Sequence, residues 1–133
     1  MTIGIYAAGS DDAAEMVSVG MRAFADDKLS EAQFGVKNAT PEQLRDFHGH
    51  RTANSKLRMQ GKGRYWFKAV DESKGKIVGF CGLCSPEAEP VPTWSVSRPA
   101  LGSSEVDEEV ETKLDEFKKR WVGGRDDVWC KWI

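Results

Sequence analysis

The feature that most constrains this chain is a pair of β-prone runs, residues 65–71 and 76–84, separated by Glu72, Ser73, Lys74 and Gly75. Two such runs around a short polar segment containing glycine are a hairpin signal of the longer-loop kind. Trp66, Phe67, Val70, Ile77, Val78 and Phe80 give this ribbon more apolar area than any other equal length of the chain. Helices placed before and after it have to pack on it, which predicts a sheet with helical cover.

Residues 3–7 predict a short N-terminal strand. Ser10 and Asp11 then offer N-caps, with Asp12 and Glu15 in a first turn. Met16, Val17, Gly20, Met21 and Phe24 recur at helical spacing. A glycine on that face costs about 1 kcal/mol relative to alanine, so Gly20 points to a close approach. Asp26 and Asp27 end this helix or open the next turn. The second helix starts sharply: Thr40 at the cap, Pro41 at the first helical position and Gln43 three residues after the cap form a capping box. Leu44, Phe47, His48 and Arg51 mark one face, and the pattern extends to about Met59 before Gly61 and Gly63 break it.

Residues 85–104 hold four of the five prolines and read as an irregular loop. Ser104 can cap a third helix over residues 105–122, in which Val106, Val110, Leu114, Phe117 and Trp121 form an apolar stripe. Gly123 and Gly124 stop it, and residues 127–133 look strand-like. The order strand, helix, helix, strand, strand, loop, helix, strand predicts an α/β chain of the α+β type, a mainly antiparallel sheet with helices packed on it.

A chain of 133 residues is enough for one domain with a real core, and its 40% hydrophobic and 30% charged content is that of a soluble globular protein. A net charge of −2 gives no electrostatic footprint for nucleic acid. No apolar run reaches the roughly 20 residues that span a bilayer, and the N-terminus lacks a signal-peptide pattern. Three cysteines do not make a disulfide framework. The expectation is a cytoplasmic protein with reduced thiols and no membrane partner.

Four stretches together resemble the GCN5-related N-acetyltransferases (the GNAT superfamily), most closely the fungal-type members with an extra helix before the central strand. They are residues 16–27, residues 40–43, the hairpin with Trp66, Val70, Ile77 and Phe80, and residues 114–129 with Leu114, Trp121 and Trp129. The match runs from about Ile3 to Trp129, which corresponds to the front half of the family's domain; Lys131 and Trp132 depart from the apolar continuation the family has there. The resemblance implies a partial GNAT-like fold, reaching only to the fourth strand. It also implies a family activity of transferring an acetyl group from acetyl-CoA to a small-molecule amine. In the family, a Gln/Arg-x-x-Gly-x-Gly/Ala loop after the fourth strand opens a helix whose N-terminus holds the cofactor's pyrophosphate. That loop is not encoded in these residues, so the chain alone is expected to bind no cofactor and to carry no catalytic residues of the family. In the family the segment between the first two helices lines the acceptor side, which singles out Phe24, Asp26, Asp27 and Leu29 as substrate-side candidates. The other expectation is a non-catalytic protein-binding module that uses either an exposed edge or the proline-rich loop with Trp94, with self-association through an exposed C-terminal strand carrying Trp129, Trp132 and Ile133.

Other constellations have plainer readings. Gln60, Gly61, Lys62, Gly63 and Arg64 have the glycines and bases of a phosphate loop but follow a helix and precede a strand, the reverse of what such a loop needs, so a turn is expected. Cys81 and Cys84 form a C-x-x-C on a strand, where odd spacing sends the side chains to opposite faces, so small buried thiols are expected. Zinc there would need Cys130 with His48 or His50. His48 and His50, two apart on a helix, diverge too far to share a metal. No metal site is expected.

Overall fold

The computed structural model describes residues 1–89, 104–121, 123 and 130–132. Its elements are β1 (Ile3–Ala7), α1 (Ala13–Ala23), α2 (Lys28–Phe34), α3 (Pro41–Met59), β2 (Arg64–Asp71), β3 (Lys76–Cys84), α4 (Ser104–Trp121) and β4 (Cys130–Trp132). The strands form one antiparallel sheet in the order β1-β2-β3-β4. The fold class is therefore mixed α+β, as the run of elements predicts.

The hairpin is the centre of the sheet. Asp71 is buried at the end of β2 and holds the turn with its carboxylate, which accepts from Ser73 N–H at 3.1 Å and Ser73 Oγ at 2.5 Å. Its carbonyl takes the N–H groups of Lys74 and Gly75, and Gly75 adopts φ +62°, the left-handed region that glycine enters without a Cβ penalty. Ala69 lies across from Gly79 but Val70 across from Ile77, so Val78 is an extra residue and the strand is bulged there. The bulge brings Glu15 of α1 into use: its Oε1 accepts from Ile77 N–H at 2.9 Å. Further along, Trp66 and Gly82 face each other, and a Cβ on Gly82 would come within 3.0 Å of the indole. The glycine lets the ring lie against the neighbouring strand.

Helix α1 packs against β3 and α3. Its inward face is Ala13, Met16, Val17, Val19 and Gly20, and the core gathers Met16, Val19 and Ile77 with Ala8, Met59, Trp66, Val70 and Phe80 around them. Gly20 does lie against the sheet: a Cβ there would meet the Phe80 ring at 3.6 Å, an ordinary contact distance. Phe24 is not part of this face. It is the C-cap residue of α1 and is exposed.

The N-terminal caps also differ from the sequence reading. Gly9, not Ser10 or Asp11, caps a 3-10 turn (Ser10–Asp12), and the Asp12 carboxylate reaches back to accept Gly9 N–H at 2.9 Å. Its other oxygen accepts from Lys68 Nζ of β2 at 2.6 Å, so one side chain both closes the turn and ties it to the sheet. The Lys68 ammonium first, and the Gly9 N–H second, hold the Asp12 carboxyl below its ordinary value of 3.8. A carboxyl depressed in the folded state stabilises the fold above its unfolded pKa, and that contribution is lost as pH falls through the folded pKa. We expect Asp12→Asn to lower stability at pH 7 by about 1 kcal/mol and to weaken the acid dependence below the ordinary carboxylate range. Urea midpoints at pH 7 and in acid check this; an unchanged acid limb in the variant would show that Asp12 is not a source of the dependence.

The Thr40 capping box is present as expected, with Gln43 N–H donating to Thr40 Oγ1 and Thr40 N–H donating to Gln43 Oε1. Helix α2 is a further helix that the apolar spacing does not predict. Helix α4 lies against α2, and its stripe residues Leu114 and Phe117 are 53% and 59% exposed. These two positions therefore do not form the buried face that the stripe suggests. Residues 90–103, 122, 124–129 and 133, with most of the proline-rich loop, Trp94 and Trp129, lie outside the described residues. No helix among the described residues is long and apolar enough to cross a membrane.

Candidate functional site

The four substrate-side candidates come together at the turn between α1 and α2. Phe24 and Asp26 lie in the turn, Asp27 is the N-cap of α2, and Leu29 is in the first turn of that helix. Asp27 Oδ2 accepts from Ser30 N–H at 2.7 Å, so this carboxylate already has a capping function. The backbone turn is closed by Phe24 N–H to Gly20, Ala25 N–H to Arg22 and Asp27 N–H to Phe24. Phe24, Asp26 and Leu29 are exposed, the two apolar side chains by about half of their surface. The turn thus presents an acid flanked by two apolar groups, a combination able to receive an organic ammonium group through charge and apolar contact.

This turn is positioned by the α2–α3 contact. Phe34 and Phe47 meet with ring centroids 5.4 Å apart at 55°, and the Arg51 guanidinium stands 5.0 Å from one ring centre and 5.6 Å from the other. Gly35, at φ +62°, ends α2 and donates its N–H to Glu31.

His48 lies within hydrogen-bond distance of a serine, as a nucleophile–base pair would, but the geometry assigns a different use. Its Nε2 is 2.8 Å from Ser18 Oγ and 3.1 Å from the Ala14 carbonyl, while Ser18 Oγ itself donates to that carbonyl at 3.1 Å. A carbonyl only accepts, so the arrangement is satisfied when Nε2 carries the proton and the serine proton is committed to Ala14. An imidazole in that tautomer cannot take the serine proton through Nε2. The trio ties α3 to α1. His50 is turned elsewhere, its Nε2 2.9 Å from Asn54 Nδ2, consistent with the divergence expected of the two histidines.

The segment of residues 60–64 is held as a turn. Gly63 has φ +75° and its carbonyl accepts from Ser85 N–H at 2.8 Å, while the Arg64 guanidinium donates to the Glu89 carbonyl. Its arginine and its Gly63 carbonyl are thus engaged within the fold. Cys81 and Cys84 fall on opposite sheet faces by strand alternation, and Cys84 is buried while Cys81 is half-buried. Among the described residues, no group of three or more His, Cys, Asp or Glu side chains is arranged to hold a metal ion.

On the sheet, α1 packs on the face that carries Trp66, Val70, Ile77 and Phe80. Of the residues of the other parity, Ile3, Ile5 and Tyr65 are exposed, while Asp71 is buried. β1 and β4 are the outer strands, and Tyr6 on β1 donates to Glu72 Oε1 at 2.6 Å. That carboxylate raises the Tyr6 phenol above its ordinary value, through the hydrogen bond first and its charge second. No protein-family model matches the chain, and no curated protein matches it.

Proposed function

We propose that this chain is a GNAT-like module that shapes the amine-acceptor side of an acetyl-transfer fold without itself holding acetyl-CoA. The observation that carries the reading is the sheet. The antiparallel β1-β2-β3-β4 order, with α1 and α3 between β1 and β2 and α4 between β3 and β4, follows the run of elements on which the resemblance rests, and the short α2 is an additional helix. In this reading Phe24, Asp26 and Leu29 form the acceptor wall and Asp27 fixes the helix that carries it. The acceptor is a small organic amine, held as its ammonium form beside Asp26. In this reading residues 60–64, which follow α3 and precede β2, are a turn and not a strand-to-helix phosphate loop.

A second reading has its own observation. β1 is an outer strand with neither Lys nor Pro in its five residues, and Ile3 and Ile5 on it are exposed. Such an edge lacks the usual guards against pairing with another strand. In this reading the chain is a non-catalytic interaction module whose partner is a second copy, paired antiparallel through an outer strand.

One pair of measurements separates the readings: calorimetric titration with acetyl-CoA alongside thermal melting, and sedimentation of the free chain. A ligand that binds only the folded form must raise the melting point. The acetyl-transfer module predicts no saturable heat, no shift with acetyl-CoA and a monomer. Saturable binding would overturn the absence of a cofactor site, and a ligand-free dimer broken by Ile5→Lys would favour the interaction module.

A further inference from the structure

The register of the last strand pair places two of the chain's three cysteines directly opposite one another. Antiparallel β3 and β4 pair Gly82 with Trp132, Leu83 with Lys131, and Cys84 with Cys130. Directly opposed residues in an antiparallel pair share one face of the sheet, and their Cα atoms lie about 4.5 or 5.5 Å apart according to the hydrogen-bonding position. A disulfide takes Cα separations of about 4.4–6.8 Å, so both kinds of position satisfy the backbone requirement. Cys81 is placed differently. It is opposite Phe67, and three residues from Cys84 along the strand it belongs to the other face.

We propose that Cys84 and Cys130 form a reversible cross-strand disulfide that staples β4 to the sheet, with a low-molecular-weight disulfide as the co-reactant. A cysteine thiolate, formed by loss of its proton to solvent, attacks one sulfur of the small disulfide, giving a mixed disulfide and releasing one small thiolate. The second cysteine thiolate attacks the protein-side sulfur of that bond and releases the other small thiolate. Two protein thiols are oxidised to one S–S bond, one small disulfide is reduced to two thiols, and the two protons lost from the cysteines balance the two thiolates. The product is the same whichever of the two thiolates attacks first, and in it Cys84, 8% exposed, is bonded to Cys130. In a reducing compartment the bridge is transient and follows the thiol–disulfide balance.

The staple has a structural consequence because, among the described residues, β4 pairs with β3 at three register positions. Closing the chain between residues 84 and 130 restricts the unfolded state, and a loop of that size corresponds to a melting-point rise of roughly 10 °C. The experiment uses the full chain with Cys81→Ser, so that only the two opposed cysteines remain, equilibrated with oxidised glutathione. The expected product is a monomer with no free thiol and a mass lower by two hydrogens. Its unreduced peptide map joins the Cys84 peptide to the Cys130 peptide, and its melting-point rise is reversed by dithiothreitol. Stable glutathione adducts, two free thiols or a disulfide-linked dimer would each overturn the proposal. The chain with all three cysteines gives a second check. Fragment sequencing should find Cys81 free, and a bridge that includes Cys81 would refute the assignment.

Discussion

Replacing Met16 by alanine is expected to cost about 3 kcal/mol of folding stability and to lower the melting temperature by roughly 10 °C. Met16 is 2% exposed and is one of the two largest fully buried side chains among the described residues. It sits where α1 meets the hairpin, in the cluster with Val19 and Ile77, with Trp66, Val70 and Phe80 closing around it. Truncation removes the transfer free energy of the side chain and leaves a cavity that its neighbours cannot easily fill. Trp66 lies against Gly82, and Phe80 is set by a bulged strand tied to α1 through Glu15. The loss is a large part of the roughly 5–15 kcal/mol by which a domain of this kind is stable. Leu29→Ala, at an exposed position on α2, serves as the comparison and should change stability by no more than about 0.5 kcal/mol. Chemical denaturation of both variants tests the assignment of the core; a Met16→Ala loss below 1 kcal/mol would mean that α1 does not pack on the hairpin as described.

The parts of this fold that the sequence made legible are those fixed by short-range physics. Thr40, Pro41 and Gln43 define the start of α3 because capping is a matter of three or four residues, and Gly75 marks the hairpin because a left-handed turn residue is needed there. The parts that were not legible depend on partners distant in sequence. Asp12 looked like a first-turn acid, but its bonds go to Gly9 and to Lys68, fifty-six residues away. Glu15 also looked like a first-turn acid, and its carboxylate serves a backbone N–H released at the Val78 bulge. A pattern of apolar spacing cannot reveal either contact. Helix α2 is hidden because seven residues give too short a period to recognise, although Asp27 as a cap and Gly35 as a left-handed stop mark its ends. The stripe on α4 shows the converse. Leu114 and Phe117 have helical spacing, yet spacing alone does not say that a face is covered.

The candidate site was legible to a different degree. The resemblance singles out its members, and the fold gathers Phe24, Asp26, Asp27 and Leu29 at one turn, where the four serve unlike purposes. Asp27 is a cap, which the sequence could have shown, since a residue of that type preceding a short helix and a glycine stop is a local signal. The exposure of Phe24 could not be read from its place in the helical period, because it depends on where α1 stops.

The second large effect is expected at Phe47, and it bears on that turn directly. Phe47→Ala should cost about 3–5 kcal/mol, because the ring is 3% exposed and fills the contact between α2 and α3. About 0.5–1.5 kcal/mol of this belongs to the tilted ring pair with Phe34, beyond simple burial, and Arg51 over both rings adds a cation–π share. Phe47→Leu keeps most of the apolar volume and should lose only about 1 kcal/mol, which separates ring geometry from burial. The consequence reaches the acceptor wall because α2 has seven residues, far below the length at which a helix is stable without tertiary contacts. With Phe47 truncated, Phe34 loses its partner ring and α2 should open more often than the sheet does. Asp27, Leu29 and the turn they define should open with it. Amide hydrogen exchange checks this: protection in residues 28–35 should fall by a larger factor than protection in β2 and β3. If both regions lose protection by the same factor, α2 unfolds only with the whole chain, and the turn is held by something other than the Phe34–Phe47 contact.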